Sequence, residues 1–334
     1  ITDLTIKDGD LIVATQGRSF WVIDDLSLLY QWKPEVVASP VHLFQSRPAY
    51  RIGGGSGAPT ATAGANLKTE LAVNYWLKEA LPAGTVATLT FTDPFGKVVK
   101  HFSTAPEKEQ VKFEPKPGLN QAAWDLSYQG AETFDGLVLW AGGTGGPRAA
   151  PGKYKVDLKV GNEVKQSEIE LKRDPRHNTT DEDLVAQFQF LTKVRDKLTE
   201  VHKAVKRIRE VRAQLESFKT NFGKEEAHKP LVEMADSMLS EMTAVEEALY
   251  QTKNRSSQDP LNYPIKLNNR LASLAGTAGH GDNRPTDQVE AVYQEVVVLV
   301  DVELKKLAPI FETKIGEFNK KFHELAVPYL HLAK

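Results

Sequence analysis

The sequence predicts a multidomain chain of β followed by α: a few opening strands, a β-sandwich, and a C-terminal antiparallel helical bundle. Three observations predict it. Apolar residues recur at every second position up to about residue 172, in short runs separated by Gly, Pro, Asn and Asp. Beyond Asp174-Pro175-Arg176 they recur every three or four residues. The chain has 334 residues, 41% of them hydrophobic, which gives about two domains, each able to bury a core without disulfides or metals.

Residues 1–32 hold three runs, Ile1–Ile6, Leu11–Thr15 and Phe20–Ile23, separated by the turns Asp8-Gly9-Asp10 and Gln16-Gly17-Arg18. They predict an antiparallel meander, most of one propeller blade. Such a sheet buries its faces only against neighbours, so Phe20, Trp21 and Val22 must be covered by the rest of the chain or form an exposed apolar patch. Residues 33–69, with Pro34, Pro40, Pro48, Pro59 and the run Gly53-Gly54-Gly55-Ser56-Gly57, read as an irregular connector with at most one strand, around Val41–Phe44. The glycine run lacks the GK[ST] ending of a phosphate loop and no helical pattern follows it, so it reads as a flexible loop.

Residues 70–174 carry the sandwich. Leu71, Val73, Tyr75 and Leu77 alternate with polar neighbours. The runs 85–91 and 97–102 join across Asp93-Pro94-Phe95-Gly96, and 154–160 and 164–171 join across Gly161-Asn162. Runs at Val111–Phe113 and Ala122–Leu126 complete about seven strands, and Pro151-Gly152-Lys153-Tyr154 should fix a corner.

Residues 178–334 carry the bundle. Thr179-Thr180-Asp181-Glu182-Asp183 is a capping signal with acids in the first turn, where the helix dipole favours them. A stripe from Leu184 through Phe188, Leu191, Val194, Leu198, Val201, Val205, Ile208, Val211 and Leu215 to Phe218 follows. It predicts one helix of about 60 Å. A second helix opens at Pro230 and carries Leu231, Met234, Met238, Met242, Val245 and Leu249. A third runs through Leu267, Leu271 and Leu274. The fourth opens at Arg284-Pro285-Thr286-Asp287, runs from Val289 to Phe322, and should kink at Pro309.

Composition narrows the chemistry. Forty-two Lys and Arg against 44 Asp and Glu leave a formal charge of −2, which gives no field for nucleic acid. Without cysteine there is no disulfide framework, thiol nucleophile or Cys-ligated metal. The eight histidines form no HExxH or HxH, so neither a metal nor another cofactor is expected. No apolar run approaches the ~20 residues needed to span a bilayer, and an opening at Ile1 reads as a processed or excised chain. A GxSxG elbow is absent, and no catalytic residue is assigned.

Paired carboxylates would serve glycoside hydrolysis, and Asp24-Asp25 is the candidate pair; neighbours at a strand end point apart, which favours a turn or capping role. Glu182-Asp183, Glu225-Glu226 and Glu246-Glu247 fall on helical patterns and read as solvated faces. Among the five tryptophans, Trp21, Trp76 and Trp124 sit in strands and read as core or interface. Trp140, before Ala141-Gly142-Gly143-Thr144-Gly145-Gly146, is the candidate ligand-binding residue, its flat ring suited to stacking on a sugar.

The segment Asp10–Asp25, DLIVATQGRSFWVIDD, resembles the closing blade of bacterial BNR-repeat, sortilin-like β-propeller proteins, which often carry the label glycosyl hydrolase. Val41–Phe44, Arg47–Tyr50, Gly118–Asn120, Trp124–Leu126, Pro151–Tyr154, Tyr250–Lys253 and Asp259–Pro264 resemble their C-terminal region. The repeated SxDxGxTW boxes of such propellers do not occur here, so any propeller active site is missing with them. The resemblance implies a non-catalytic C-terminal accessory module of a larger secreted or periplasmic protein, whose partner is the missing propeller. It also implies an Ig or fibronectin-III-like sandwich. Carbohydrate binding through Trp140 in aid of a hydrolase, or a hydrolase fragment, are the alternatives.

Overall fold

The computed structural model describes residues 1–52, 69–107 and 110–328. The chain mixes β and α, with several sheets followed by a long helical C-terminal region. It divides into two compact units, residues 1–129 with 148–185, and residues 130–147 with 186–334. Residues 130–147, which the sequence reading assigned to the β region, thus cluster with the helices.

In the first unit, β1 (Asp3–Lys7), β2 (Asp10–Ala14) and β3 (Phe20–Ile23) form the expected antiparallel meander. The register places Leu4 opposite Val13, Ile6 opposite Leu11, Leu11 opposite Ile23 and Val13 opposite Trp21. Cross-strand partners share a face, so six apolar side chains make up one side. Phe20, Val22, Ile12 and Ala14 fall on the other. Both faces are open: Phe20 is 73% exposed, Trp21 62% and Ile6 58%. Of the two outcomes expected for this sheet, the exposed apolar patch is the one found.

The connector is more ordered than its prolines suggest, because Pro34 starts a helix rather than breaking one. It contains α1 (Ser27–Gln31), α2 (Pro34–Ala38), β4 (Val41–Leu43) and β5 (Ala49–Arg51). The glycine run 53–57 lies outside the described residues. There follow β6 (Leu71–Leu77), β7 (Ala87–Thr92), β8 (Val98–Ser103), β9 (Val111–Lys112), β10 (Gly118–Trp124), β11 (Gly152–Val160) and β12 (Glu163–Arg173). One sheet has the order β10-β6-β4, another β5-β12-β11-β7-β8-β9. Strand β6 alternates buried and half-buried residues along its length, as the period of two requires.

Trp124 anchors the core of this unit, its ring 6.1 Å from Phe91, 5.5 Å from Tyr154 and 5.6 Å from Tyr128. The buried Tyr154 hydroxyl donates to the Ala150 carbonyl oxygen (2.7 Å), which pins the predicted corner. Gly152 is required there: its φ is +149°, and a Cβ would lie 2.8 Å from Pro94 Cγ. Burial pushes the Tyr154 and Tyr128 hydroxyls well above the ordinary phenol range.

The helices are α3 (Asp181–Phe222), α4 (Lys229–Leu249), α5 (Leu267–Ala278), α6 (Asp287–Lys305) and α7 (Ile315–Glu324). The Asp183 amide donates to Thr180 Oγ1 (3.2 Å) and the Thr180 amide to Asp183 Oδ2 (3.3 Å), a reciprocal capping box. Thr286 caps α6 by accepting from the Val289 amide (3.3 Å). The predicted stripe of α3 is buried at Val194, Leu198, Val201, Val205, Ile208, Leu215 and Phe218 and half-buried at Val211, and Met238 and Met242 fill core space on α4. At Pro309 the fourth predicted helix becomes α6, a π turn over Ile310–Lys314, and α7.

Candidate functional site

The loop of residues 130–147, inside the second unit, supplies one wall of the candidate site, and its attachment explains why it leaves the strands. The Ala131 amide donates to the Thr144 carbonyl oxygen (2.8 Å) and closes the loop on itself. Ala131 and Phe134 enter the apolar core of the helices. The Phe134 ring meets His202 edge-on at 5.1 Å and Tyr250 at 5.0 Å. The Tyr250 hydroxyl donates to the Gly136 carbonyl oxygen (2.8 Å) and accepts from the Val138 amide (3.3 Å). Farther on, the buried Asn269 brackets Trp140, its Oδ1 accepting from the Trp140 amide (2.6 Å) and its Nδ2 donating to the Trp140 carbonyl oxygen (2.7 Å). Gly142 passes so close to α5 that a Cβ would lie 2.8 Å from Ala272.

Beside this loop is a pocket of about 690 Å³, lined by residues 135–138, by α3 and by the end of α4 with the turn that follows it. Glu246 is its floor, with 2% of its surface exposed. Arg209 Nε donates to Glu246 Oε1 (2.8 Å), and Arg212 Nη1 pairs with Glu246 Oε2 (2.6 Å). Arg209 Nη1 also donates to the Asp135 carbonyl oxygen (2.9 Å), and its guanidinium lies 4.7 Å from the Phe134 ring centre and 5.5 Å from that of Tyr250. Arg212 Nη2 donates to Thr243 Oγ1 (3.3 Å). Across the pocket, Arg255 Nη1 is bonded to the carbonyl oxygens of Thr252 (2.7 Å) and Asn254 (3.0 Å). Both Glu246 oxygens are engaged by guanidinium, so the carboxylate is neither a free base nor a free nucleophile.

Glu246 corrects the reading of Glu246-Glu247 as a solvated face: Glu247 is exposed, but Glu246 falls one turn beyond Met242 on the buried stripe of α4. That spacing was the available signal. The two arginines that make burial tolerable lie more than 30 residues upstream on another helix. Glu225 and Glu226 are exposed, as expected, and Glu182 is exposed while Asp183 works as a cap.

Trp140 is 38% exposed, and its two bonds to Asn269 are made by its backbone. Its loop is clamped rather than free, and the pocket is lined by its neighbours Leu137 and Val138 instead. Trp124 is core, Trp76 is half-buried with Trp32 edge-on at 5.4 Å, and Trp21 is exposed.

The Asp24-Asp25 pair is also rearranged. Asp25, at φ +60°, turns the chain and accepts from the Ser27 amide (3.0 Å) through its side chain. The acid that faces it is Asp10, and Arg47 sits between them, 2.8 Å from Asp10 and 3.8 Å from Asp25. A bond from the Asp25 amide, with Arg47 beside it, holds the Asp10 carboxyl below its ordinary range. That is the opposite of what a general acid needs. Among the described residues no three His, Asp or Glu side chains converge as metal ligands, and no helix is long and apolar enough to cross a membrane. No protein-family model and no curated protein matches the chain.

Proposed function

We propose that this chain is a non-catalytic accessory module at the C-terminal end of a larger secreted or periplasmic β-propeller protein. In this reading β1–β3 complete the last blade, the two larger sheets form an Ig or fibronectin-III-like sandwich, and α3–α7 form a helical bundle. One observation carries it: a three-stranded sheet with apolar side chains open on both faces. Apolar side chains open on both faces of a three-stranded sheet call for covering elements on both sides, which is the situation of a blade between neighbours in a ring. The engaged oxygens of Glu246 and the lowered Asp10 agree with a module that performs no hydrolysis.

The test has two parts. The purified chain is assayed for turnover across a broad panel of poly- and oligosaccharides and peptides, and none is expected. Turnover abolished by one point mutation overturns the reading. The sheet is tested by sedimentation: the wild-type chain should associate with rising concentration, and a Trp21→Thr, Ile23→Thr variant of the same sheet face should stay monomeric. Equal behaviour of the two would show that the faces are not sticky and remove the argument.

A second reading, a carbohydrate-binding module, is favoured by the exposed Trp140 ring on a rigid loop. Loss of glycan binding in a Trp140→Ala chain supports it, and an unchanged glycan profile removes it.

A further inference from the structure

We infer that the pocket between the loop 135–138, α3 and the α4 end binds a small organic anion that carries both an oxyanion, carboxylate or phosphate, and a hydroxyl. Three guanidiniums reach this pocket, and Glu246 is the one buried acid among its described lining residues; Asp135 and Glu216 lie exposed at its edge. Each guanidinium has five N–H donors. Within the protein Arg209 engages Glu246 and the Asp135 carbonyl oxygen, and Arg212 engages Glu246 and Thr243. The remaining donors are held in place by those same bonds and by the Phe134 and Tyr250 rings. At the buried end, Glu246 is one carboxylate shared by two arginines, while the exposed Asp135 and Glu216 bring the whole lining to three cations against three anions. Arg255, whose side chain bonds the Thr252 and Asn254 carbonyl oxygens, lies beside Asp259. What favours an oxyanion here is therefore the spare guanidinium donors rather than net charge. Planar, pre-oriented guanidinium forks are the groups that recognise carboxylate and phosphate best.

An independent feature points to the hydroxyl. Asn254 lines the same pocket with 4% of its surface exposed, and its Oδ1 has no hydrogen-bond donor. A buried acceptor without a donor is costly; this one is closed to solvent as it stands, so a ligand O–H would satisfy it once the amide turns toward the pocket. The volume of about 690 Å³ is in the range of small-molecule sites.

The experiment titrates the intact chain with three probes built on one pyranose ring, glucose, glucuronate and glucose 6-phosphate, following backbone amide shifts by NMR. Glucuronate or glucose 6-phosphate should move the amides of Gly136, Val138 and Asn254 in a saturable way, and glucose should not. Whichever of the two anions binds more tightly distinguishes a carboxylate from a phosphate site. Arg255→Gln, an exposed position, should weaken the anion about 10-fold or more. Raising the salt from about 20 to 300 mM should weaken it in the wild-type chain without any substitution. Anions that bind no more tightly than glucose, shifts that lie elsewhere, or affinity unchanged by both Arg255→Gln and salt would overturn the inference.

Discussion

Replacing Glu246 tests whether one carboxylate holds together α3, α4 and the 130–147 loop. In Glu246→Leu the helix propensity and the burial are kept, but Arg209 and Arg212 lose the only carboxylate they pair with among the described residues. Removing one partner of a fully buried ion pair costs about 3–5 kcal/mol. The arginine side chains here are 34% and 22% exposed, so water recovers part of that. Discounting for it leaves about 2–3 kcal/mol. For a unit of this size that is a fall in Tm of about 5–10 °C. The assay is thermal unfolding followed by far-UV circular dichroism at the helical signal. A triple variant, Glu246→Leu with Arg209→Met and Arg212→Met, should recover most of the loss, because an apolar cluster of similar volume leaves no charge unpaired. A Glu246→Leu chain that melts within about 1 °C of wild type would refute the argument, since charges so nearly independent contribute little. A triple variant less stable than the single one would show that the arginines stabilise through contacts other than Glu246.

Three further outcomes are expected. Burial lowers the pKa of His202, whose ring meets the Glu132 carbonyl oxygen, below its ordinary value, so the unfolded chain binds the proton more tightly. Stability of the helical unit is therefore full above pH ~6.5 and falls on acidification below it, by at most about 1.4 kcal/mol per pH unit; urea melts at pH 7.5 and 5.5 should show this, with a flatter dependence in His202→Gln. Tyr154→Phe removes the donor to the Ala150 carbonyl oxygen (2.7 Å) and should cost about 1–2 kcal/mol in urea unfolding, whereas equal stability would mean that water replaces the hydroxyl. Gly142→Ala places a Cβ 2.8 Å from the backbone of the fully buried Ala272, while Gly145→Ala meets open space. The first should cost about 1–3 kcal/mol in the same assay and the second almost nothing, and equal effects would refute the close packing of the loop.

The local elements were legible in the sequence because local chemistry decides them. Thr180 with Asp183 and Thr286 before Val289 cap their helices as the residue types demand, and β6 follows its alternating pattern residue by residue. The Pro151–Tyr154 corner was equally visible, since Gly152 and a buried tyrosine fulfil needs of the chain immediately around them. The meander of residues 3–23 followed from its own pattern, but whether its faces are covered did not, because that depends on what the rest of the chain brings to it. The pocket was not visible. Glu246 looked like half of a charged pair on a wet face, and Asn269 and Tyr250 gave no sign that they fasten Trp140, Gly136 and Val138 from more than 100 residues away. Whether a charge or an amide is buried depends on which distant partners arrive to satisfy it, and only the tertiary structure brings Arg209, Arg212 and the loop 130–147 to the end of α4.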